Sequence, residues 1–401
     1  MHSHHAAQQT QASGSRAFLV LALCVGAGGV GAQPPRQTQA DDYTRYELLA
    51  PGTAKFRILY EVTATTPGAT QFFNVIRRGS VVSDERVSDL ATGKPLAFDI
   101  VGGAVARDGG VRNADSTGQY IRVKLARPVA KEGETRLLID KTYYDTASYQ
   151  VRGDTIVFNR GLGIKRNSIV LPVGYELVSS NFPSQVLQEP DGRIKVSFWN
   201  NTPSDAPVQL RARRASSAAS VAALTPALNR RLDERAHQTR EIVYYMQQPE
   251  THSFDLYHDY TETRSGVDKY LNVVRAGSTV SNPRAVNLDT GDELKFDIER
   301  GDSVTVVFRF PAVKPGETTR LRMYETYTDT ARYKLVGDAL VWDRTLGRPA
   351  NAVVLPAGWL LTNSSIPAVV SEQPDGRTRL DFINPRPDEI AVLITARRRG
   401  K

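Results

Sequence analysis

Pro190-Asp191-Gly192-Arg193-Ile194-Lys195-Val196-Ser197-Phe198 is a tight turn followed by a strand, and the chain contains it twice. The second version is Pro374-Asp375-Gly376-Arg377-Thr378-Arg379-Leu380-Asp381-Phe382. Pro and Gly suit a turn, and the strict alternation after it has the period of a strand that buries one face. Working outward, Thr142 to Arg214 pairs with Thr326 to Arg398 without a gap, and 32 of 73 positions are identical. Upstream, Tyr46 to Ile100 pairs with Tyr244 to Ile298. Between these blocks the register changes from 198 to 184 residues, so the first copy carries 14 more. The surplus lies around Gly102 to Gly118. Its Gly and Asp residues show no periodicity, which predicts an exposed loop.

Both copies are rich in β-type segments, such as Phe56-Arg57-Ile58-Leu59-Tyr60-Glu61-Val62-Thr63 and Thr319-Arg320-Leu321-Arg322-Met323-Tyr324. Turn signals recur about every 8–12 residues, the spacing of a sandwich, and one polar face per strand implies antiparallel sheets. The expected fold is all-β: two homologous antiparallel β-sandwich domains, 42–214 and 242–399, joined by a linker at 215–241. Within the linker, Thr225-Pro226 can cap and start a short helix. Leu224, Leu228, Leu232 and Ala236 would form its apolar stripe.

Residues 1–16 are polar and end in Arg16. The apolar run Ala17 to Gly26 and the small residues up to Val30-Gly31-Ala32 follow. This is the layout of a signal peptide, 1–32, with cleavage expected between Ala32 and Gln33. The rival is a lipid anchor on Cys24, but Leu23 stands where a small residue is wanted. Cleavage removes one charge, Arg16, so the formal charge of +8 falls to +7. It also removes the only Cys, leaving nothing that an oxidising compartment would alter. The expected location is secreted or periplasmic. No other stretch approaches the roughly 20 apolar residues of a membrane span.

The mature chain retains His237, His252 and His258 as its only histidines, with no His-Glu-x-x-His pair and no Cys, so no metal site is assigned. Dedicated calcium spacing, phosphate loops and the Gly-x-Ser-x-Gly elbow are absent, so no cofactor is assigned. His258 and Asp259 point to opposite faces of a strand and do not make a base and its orienter. Paired carboxylates are the enzymatic option that composition leaves open. Those occurring in both copies are Asp99/Asp297, Glu134/Glu317, Asp145/Asp329, Asp154/Asp338 and Asp191/Asp375, and most sit in turns. No catalytic residue is assigned. The cationic ends, Arg211, Arg213 and Arg214 in one copy and Arg397, Arg398, Arg399 and Lys401 in the other, lack the interleaved aromatics of a nucleic-acid face. Trp199, Trp342, Trp359, Tyr143 and Tyr327 suit either sugar stacking or a core.

Val129-Ala130-Lys131-Glu132-Gly133-Glu134-Thr135-Arg136-Leu137, its counterpart Val313 to Leu321, and Pro249-Glu250-Thr251-His252-Ser253-Phe254 resemble the N-terminal β domain of gluzincin-type zinc aminopeptidases. The resemblance implies a saddle of antiparallel sheets. The peptidase domain, with its zinc helix and Gly-Ala-Met-Glu-Asn-like motif, is missing, so no catalytic residue carries over. Taken whole, the tandem arrangement is similar to that of exported bacterial tandem-repeat β proteins without an assigned activity. The resulting expectation is an exported, non-catalytic binding or structural protein whose partner is a protein or polysaccharide of the cell envelope. A carboxylate-based glycan hydrolase, with its cleft between the copies, is the alternative.

Overall fold

The alternating segments are strands in the computed structural model, which describes residues 34–215 and 233–400. The signal-peptide features, including Cys24 and the Ala32/Gln33 junction, lie outside the described residues, as do Thr225-Pro226 and the linker leucines. The first copy forms β1 (Gln39–Leu48), β2 (Lys55–Ala64), β3 (Gln71–Ile76), β4 (Val81–Asp89), β5 (Phe98–Gly102), β6 (Gln119–Lys124), β7 (Thr135–Tyr144), β8 (Tyr149–Arg152), β9 (Thr155–Leu162), β10 (Arg166–Val170), β11 (Tyr175–Ser180), β12 (Gln185–Gln188), β13 (Ile194–Trp199) and β14 (Ala206–Arg214). They make a seven-stranded sheet in the order β12-β13-β10-β1-β2-β7-β4, a four-stranded sheet β11-β14-β9-β8, and a three-stranded sheet β3-β6-β5. One apolar core, with Phe56, Ile121, Leu137, Phe158 and Leu210 at its centre, draws side chains from all three.

The second copy repeats these strands, with its own core around Phe254, Phe308, Trp342 and Ile394. One proline makes the main difference. In the first copy the strand after β4 is cut off at the isolated Ser88–Pro95 bridge, because Pro95 has no N–H to give a ladder. The second copy has Glu293 at that place. Its strand Asp292–Arg300 runs on to pair with both Thr279–Asn287 and Val304–Arg309, so the equivalent sheets merge into one of ten strands.

Two expectations need correction. The sheets are not wholly antiparallel, because β1 pairs parallel with β10, and Glu241–Met246 pairs parallel with Ala350–Val354. Both inner partners, β10 and Ala350–Val354, are buried at every position, as parallel strands usually are. Over β10 lies the turn at 233–240, where Ala236 is buried and its carbonyl accepts from Arg166, while Glu234 accepts from Tyr43 and Ser197. The Gly102–Gly118 surplus is mostly exposed, as expected, but it is not a plain loop. It contains a short helix, α1 (Gly103–Asp108), and packs Ala106 and Ala114 on Phe73 and Tyr120. Its glycines serve close approach: a Cβ on Gly103 would lie 1.8 Å from the Asp115 carbonyl oxygen.

The copies meet through buried charge. Arg136, at the start of β7, grips Asp289 of the second copy with bonds of 3.0 and 3.1 Å, and Arg320, its counterpart, reaches back to Glu134 at 3.0 Å. Backbone bonds flank these pairs, Glu134 N–H to Leu288 and Thr318 N–H to Ala91. Removing one partner of a buried pair leaves the other charge desolvated and unmatched, which costs about 3–5 kcal/mol. Arg136→Ala should therefore lower the urea midpoint sharply and separate the unfolding of the two copies. Arg122→Ala, which breaks an exposed pair with Asp99, should leave the midpoint in place. A single unshifted transition for Arg136→Ala would show that the interface contributes nothing.

Candidate functional site

A cavity of about 410 Å³ opens where all three sheets of the first copy meet. From β1 and β2 come Tyr46, Ile58 and Tyr60. From β7 come Lys141 and Tyr143, and from β9 Arg160, all of them buried. The rim carries Arg77, Arg78, Gly163 and Asp205, which are exposed.

Lys141 points inward because of strand period. Leu137, Ile139, Lys141 and Tyr143 alternate along β7 and share its core face. The ammonium gives a hydrogen bond to Asn74 Oδ1 at 2.5 Å and lies 5.1 Å from the centre of the Tyr143 ring. An ammonium has three donors, and among the described residues this one has a single hydrogen-bond acceptor. Glu85 acts on it only through space. Burial, reinforced by the nearby Arg160 guanidinium, pushes its pKa down to about 7. Arg160 itself is tied at 2.8 Å to Asp145, and Ser80 and Ser148 also donate to that carboxylate. Burial alone would raise Asp145, but these donors outweigh it and hold the carboxyl low.

The same frame stands in the second copy with its charge reversed. Glu325 occupies the place of Lys141, while Asn272, Tyr327 and Arg344 match Asn74, Tyr143 and Arg160. The asparagine turns its other end: Asn74 accepts from the lysine with its oxygen, and Asn272 donates its Nδ2 to Glu325 at 2.7 and 2.8 Å. Burial pushes Glu325 up to about 7 against the hydrogen bonds from Asn272 and Tyr327. Beside it, His258 stands in for Tyr60. Arg348, at the position of Ile164, donates to His258 Nδ1 at 2.6 Å. A guanidinium only donates, so Nδ1 carries the lone pair and the imidazole is neutral. Burial and the Arg348 charge hold its pKa well below the ordinary value. At the rim, Glu389 ties Arg275 to Thr345, whereas in the first copy Arg77 bonds to the Gly161 carbonyl.

The carboxylates expected from sequence fall elsewhere. Asp145 and Asp329 both brace buried arginines. Asp99 and Asp297 pair with exposed arginines across neighbouring strands. Asp191 and Asp375 bond within their turns to Arg193 and Arg377, and Asp154 and Asp338 are exposed in hairpins. Glu134 and Glu317 are not equivalent, since the strand register matches Glu134 with Thr318, and Glu134 belongs to the interface. A cleft of about 340 Å³ between the copies has a single lining carboxylate, Glu61, which is bonded to His237. His252 bonds the Tyr333 carbonyl. Trp342, Trp359 and Tyr327 are core residues, Tyr143 is buried in the cavity wall, and Trp199 is half-buried against Lys165 and Arg166. Among the described residues no three His, Cys, Asp or Glu side chains converge as a metal site would need, and no helix is long and apolar enough to cross a membrane.

No family model and no curated protein matches the chain. It is similar to solved structures of an M1 zinc metallopeptidase from Deinococcus radiodurans (TM-score 0.30, 11% identity, 45% of this chain and 42% of that one). An aminopeptidase N family protein from Idiomarina loihiensis is also similar (0.27, 11%, 39% and 29%). So is a putative protease from Parabacteroides distasonis (0.26, 12%, 90% and 93%). This chain thus spans less than half the length of the metallopeptidase. The M1 structures are of the kind that the strand–turn–strand segments resemble.

The two buried groups pull stability in opposite directions with pH. Glu325 has its ordinary pKa of 4.5 raised to about 7 by folding, so its contribution is full below about pH 4.5 and is lost as pH rises to 7. Lys141 has its ordinary 10.5 lowered to about 7, so its contribution is full above about pH 10.5 and is lost as pH falls to 7. Together they place a stability minimum near pH 7. Glu325→Gln should remove the fall between about pH 5 and pH 7 in melts followed by circular dichroism. Lys141→Met should remove the rise on the alkaline side. An unaltered profile in both variants would mean that neither group changes protonation on folding.

Proposed function

We propose that the chain is an exported, non-catalytic binding protein of two homologous β-sandwich domains, 42–214 and 242–399, joined by the segment 215–241. It is secreted or periplasmic after cleavage between Ala32 and Gln33, and its ligand belongs to the cell envelope. The observation that carries this reading is the first-copy cavity. Its size lies in the range of small-molecule sites, and it combines apolar walls with a few convergent polar groups. The hydrolase alternative finds one lining carboxylate in the inter-copy cleft, where glycan hydrolysis needs a pair.

The test is a glycan array probed with residues 33–401 and with the same chain carrying Ile164→Trp, which fills the cavity wall. Signal lost in the variant supports the reading. Signal equal in both, or release of reducing ends from a glycan, overturns it. The domain boundaries are tested separately. Each copy carries a full strand set and a core of its own, so fragments 42–214 and 242–399 should each unfold cooperatively. A disordered fragment would mean that one copy needs the other to fold.

A further inference from the structure

We propose that the first-copy cavity binds a small organic anion, one carboxylate or phosphate group on a body the size of a single ring, with the charge received by Lys141 and Arg77. This inference rests on the reading of the cavity as a binding site and names the class of ligand.

Three observations carry it. The first is charge. Lys141, Arg77, Arg78 and Arg160 line the cavity against one carboxylate, Asp205, at the rim. Arg160 is already neutralised by Asp145, whereas among the described residues Lys141 is met only by an amide oxygen and a ring face. A buried ammonium so placed is desolvated without a counter-charge in contact, and an incoming anion supplies one. The second is shape. Tyr46, Ile58, Tyr60 and Leu162 give the rest of the cavity an apolar lining that suits a ring behind the charged group.

The third is the other copy, which shows the same frame with its own occupants. Glu325 brings a carboxyl to the position of Lys141 and is held by the matching asparagine. Arg348 enters from the position of Ile164, and Glu389 latches Arg275 at the rim. The frame thus buries an ionisable group beside the Asn–Tyr pair in both copies. In the second copy the groups around it come from the chain itself, whereas in the first the place of Arg348 is taken by the apolar Ile164 and no carboxylate bonds to Lys141 among the described residues.

Binding should depend on pH. The titratable groups that line the cavity with Lys141 are Tyr46 from β1, Tyr60 from β2, Tyr143 from β7, Arg160 from β9, Arg77 and Arg78 from the turn after β3 and Asp205 from the segment before β14, and Glu85 from β4 acts through space. None of these carboxylates is ion-paired to it, so its own protonation governs the charge that the anion meets. With its pKa near 7, affinity for an anion ionised throughout should weaken by up to about tenfold per pH unit above pH 7.

The experiment is calorimetric titration of residues 33–401 with benzoate and glucuronate as probes, and with benzamide and glucose as uncharged counterparts, at about pH 6, 7 and 8.5. The expected result is binding of at least one anion and neither neutral compound, weaker at high pH. Lys141→Met should cut affinity at least tenfold and flatten the pH dependence. Arg77→Gln, a change at the exposed rim, should weaken binding without altering the pH dependence. Glu325→Gln, in the other copy, should change neither. If glucose binds as well as glucuronate and Lys141→Met has no effect, the cavity remains a binding site but not one for anions. If no probe binds and the array signal survives Ile164→Trp, both this inference and the reading beneath it fall.

Discussion

An ionisable side chain sits at the point where three sheets converge in the first copy, and at the equivalent point in the second, and much else follows from that placement. Taking an ion out of water costs several kcal/mol unless partners replace the hydration shell. The partners here are common to both copies: an asparagine whose amide presents either its oxygen or its nitrogen, a tyrosine, and an arginine held by an aspartate two residues beyond that tyrosine. Because the amide is ambivalent, the frame tolerates a cation in one copy and a carboxyl in the other. The Asp145–Arg160 and Asp329–Arg344 pairs have a structural part in this, since each joins the turn after β7, or after its equivalent Thr319–Thr328, to the four-stranded sheet.

The contact between copies obeys the same constraint in a lopsided way. The equivalent arginines Arg136 and Arg320 lie at the start of equivalent strands, and each crosses to the other copy. They find different carboxylates. Arg136 meets Asp289, whose equivalent in the first copy is Ala91. Arg320 meets Glu134, whose equivalent in the second copy is Thr318. The backbone bonds at Leu288 and Ala91 preserve a nearly two-fold pattern around these unlike pairs. A symmetric backbone contact with unsymmetric charges fixes which copy plays which part.

Strand period, the Pro-Asp-Gly turns and the internal matches were legible in the sequence because they are local or repeated. The parallel pairing of β1 with β10 was not, since it joins segments over a hundred residues apart and leaves no local mark beyond the continuous burial of Arg166 to Val170. The glycines of the 102–118 segment read as loop residues, yet Gly103 and Gly109 allow backbone and the Phe73 ring to approach closely. Lys141 was hidden for another reason. In Asp140-Lys141-Thr142 it reads as a solvated residue, and the ungapped match between copies starts at Thr142, one residue too late to include it. A signal was nonetheless present, in the alternation Leu137, Ile139, Lys141, Tyr143 and in the exchange of Lys for Glu just ahead of identical Thr-Tyr pairs.

That exchange ties the two copies together on the proposed reading. A duplicated frame that must bury an ionisable group has two ways to settle it: supply a counter-group from within, or leave the place open to solvent and solutes. The second copy takes the first course, with Arg348 against a neutral His258, a carboxyl held by Asn272, and a rim latched by Glu389. The first copy takes the other course, and the substitutions responsible are few: Ile164 for Arg348, Tyr60 for His258, and Asp205, one methylene shorter, for Glu389. Ile164 removes the guanidinium, Tyr60 removes the ring nitrogen that accepts from it, and Asp205 shortens the rim latch, all without touching the Asn–Tyr–Arg frame. The first copy is thereby the one suited to receive a ligand. In the second, the corresponding place is filled from within by Arg348 and His258, and buried charge joins the two copies.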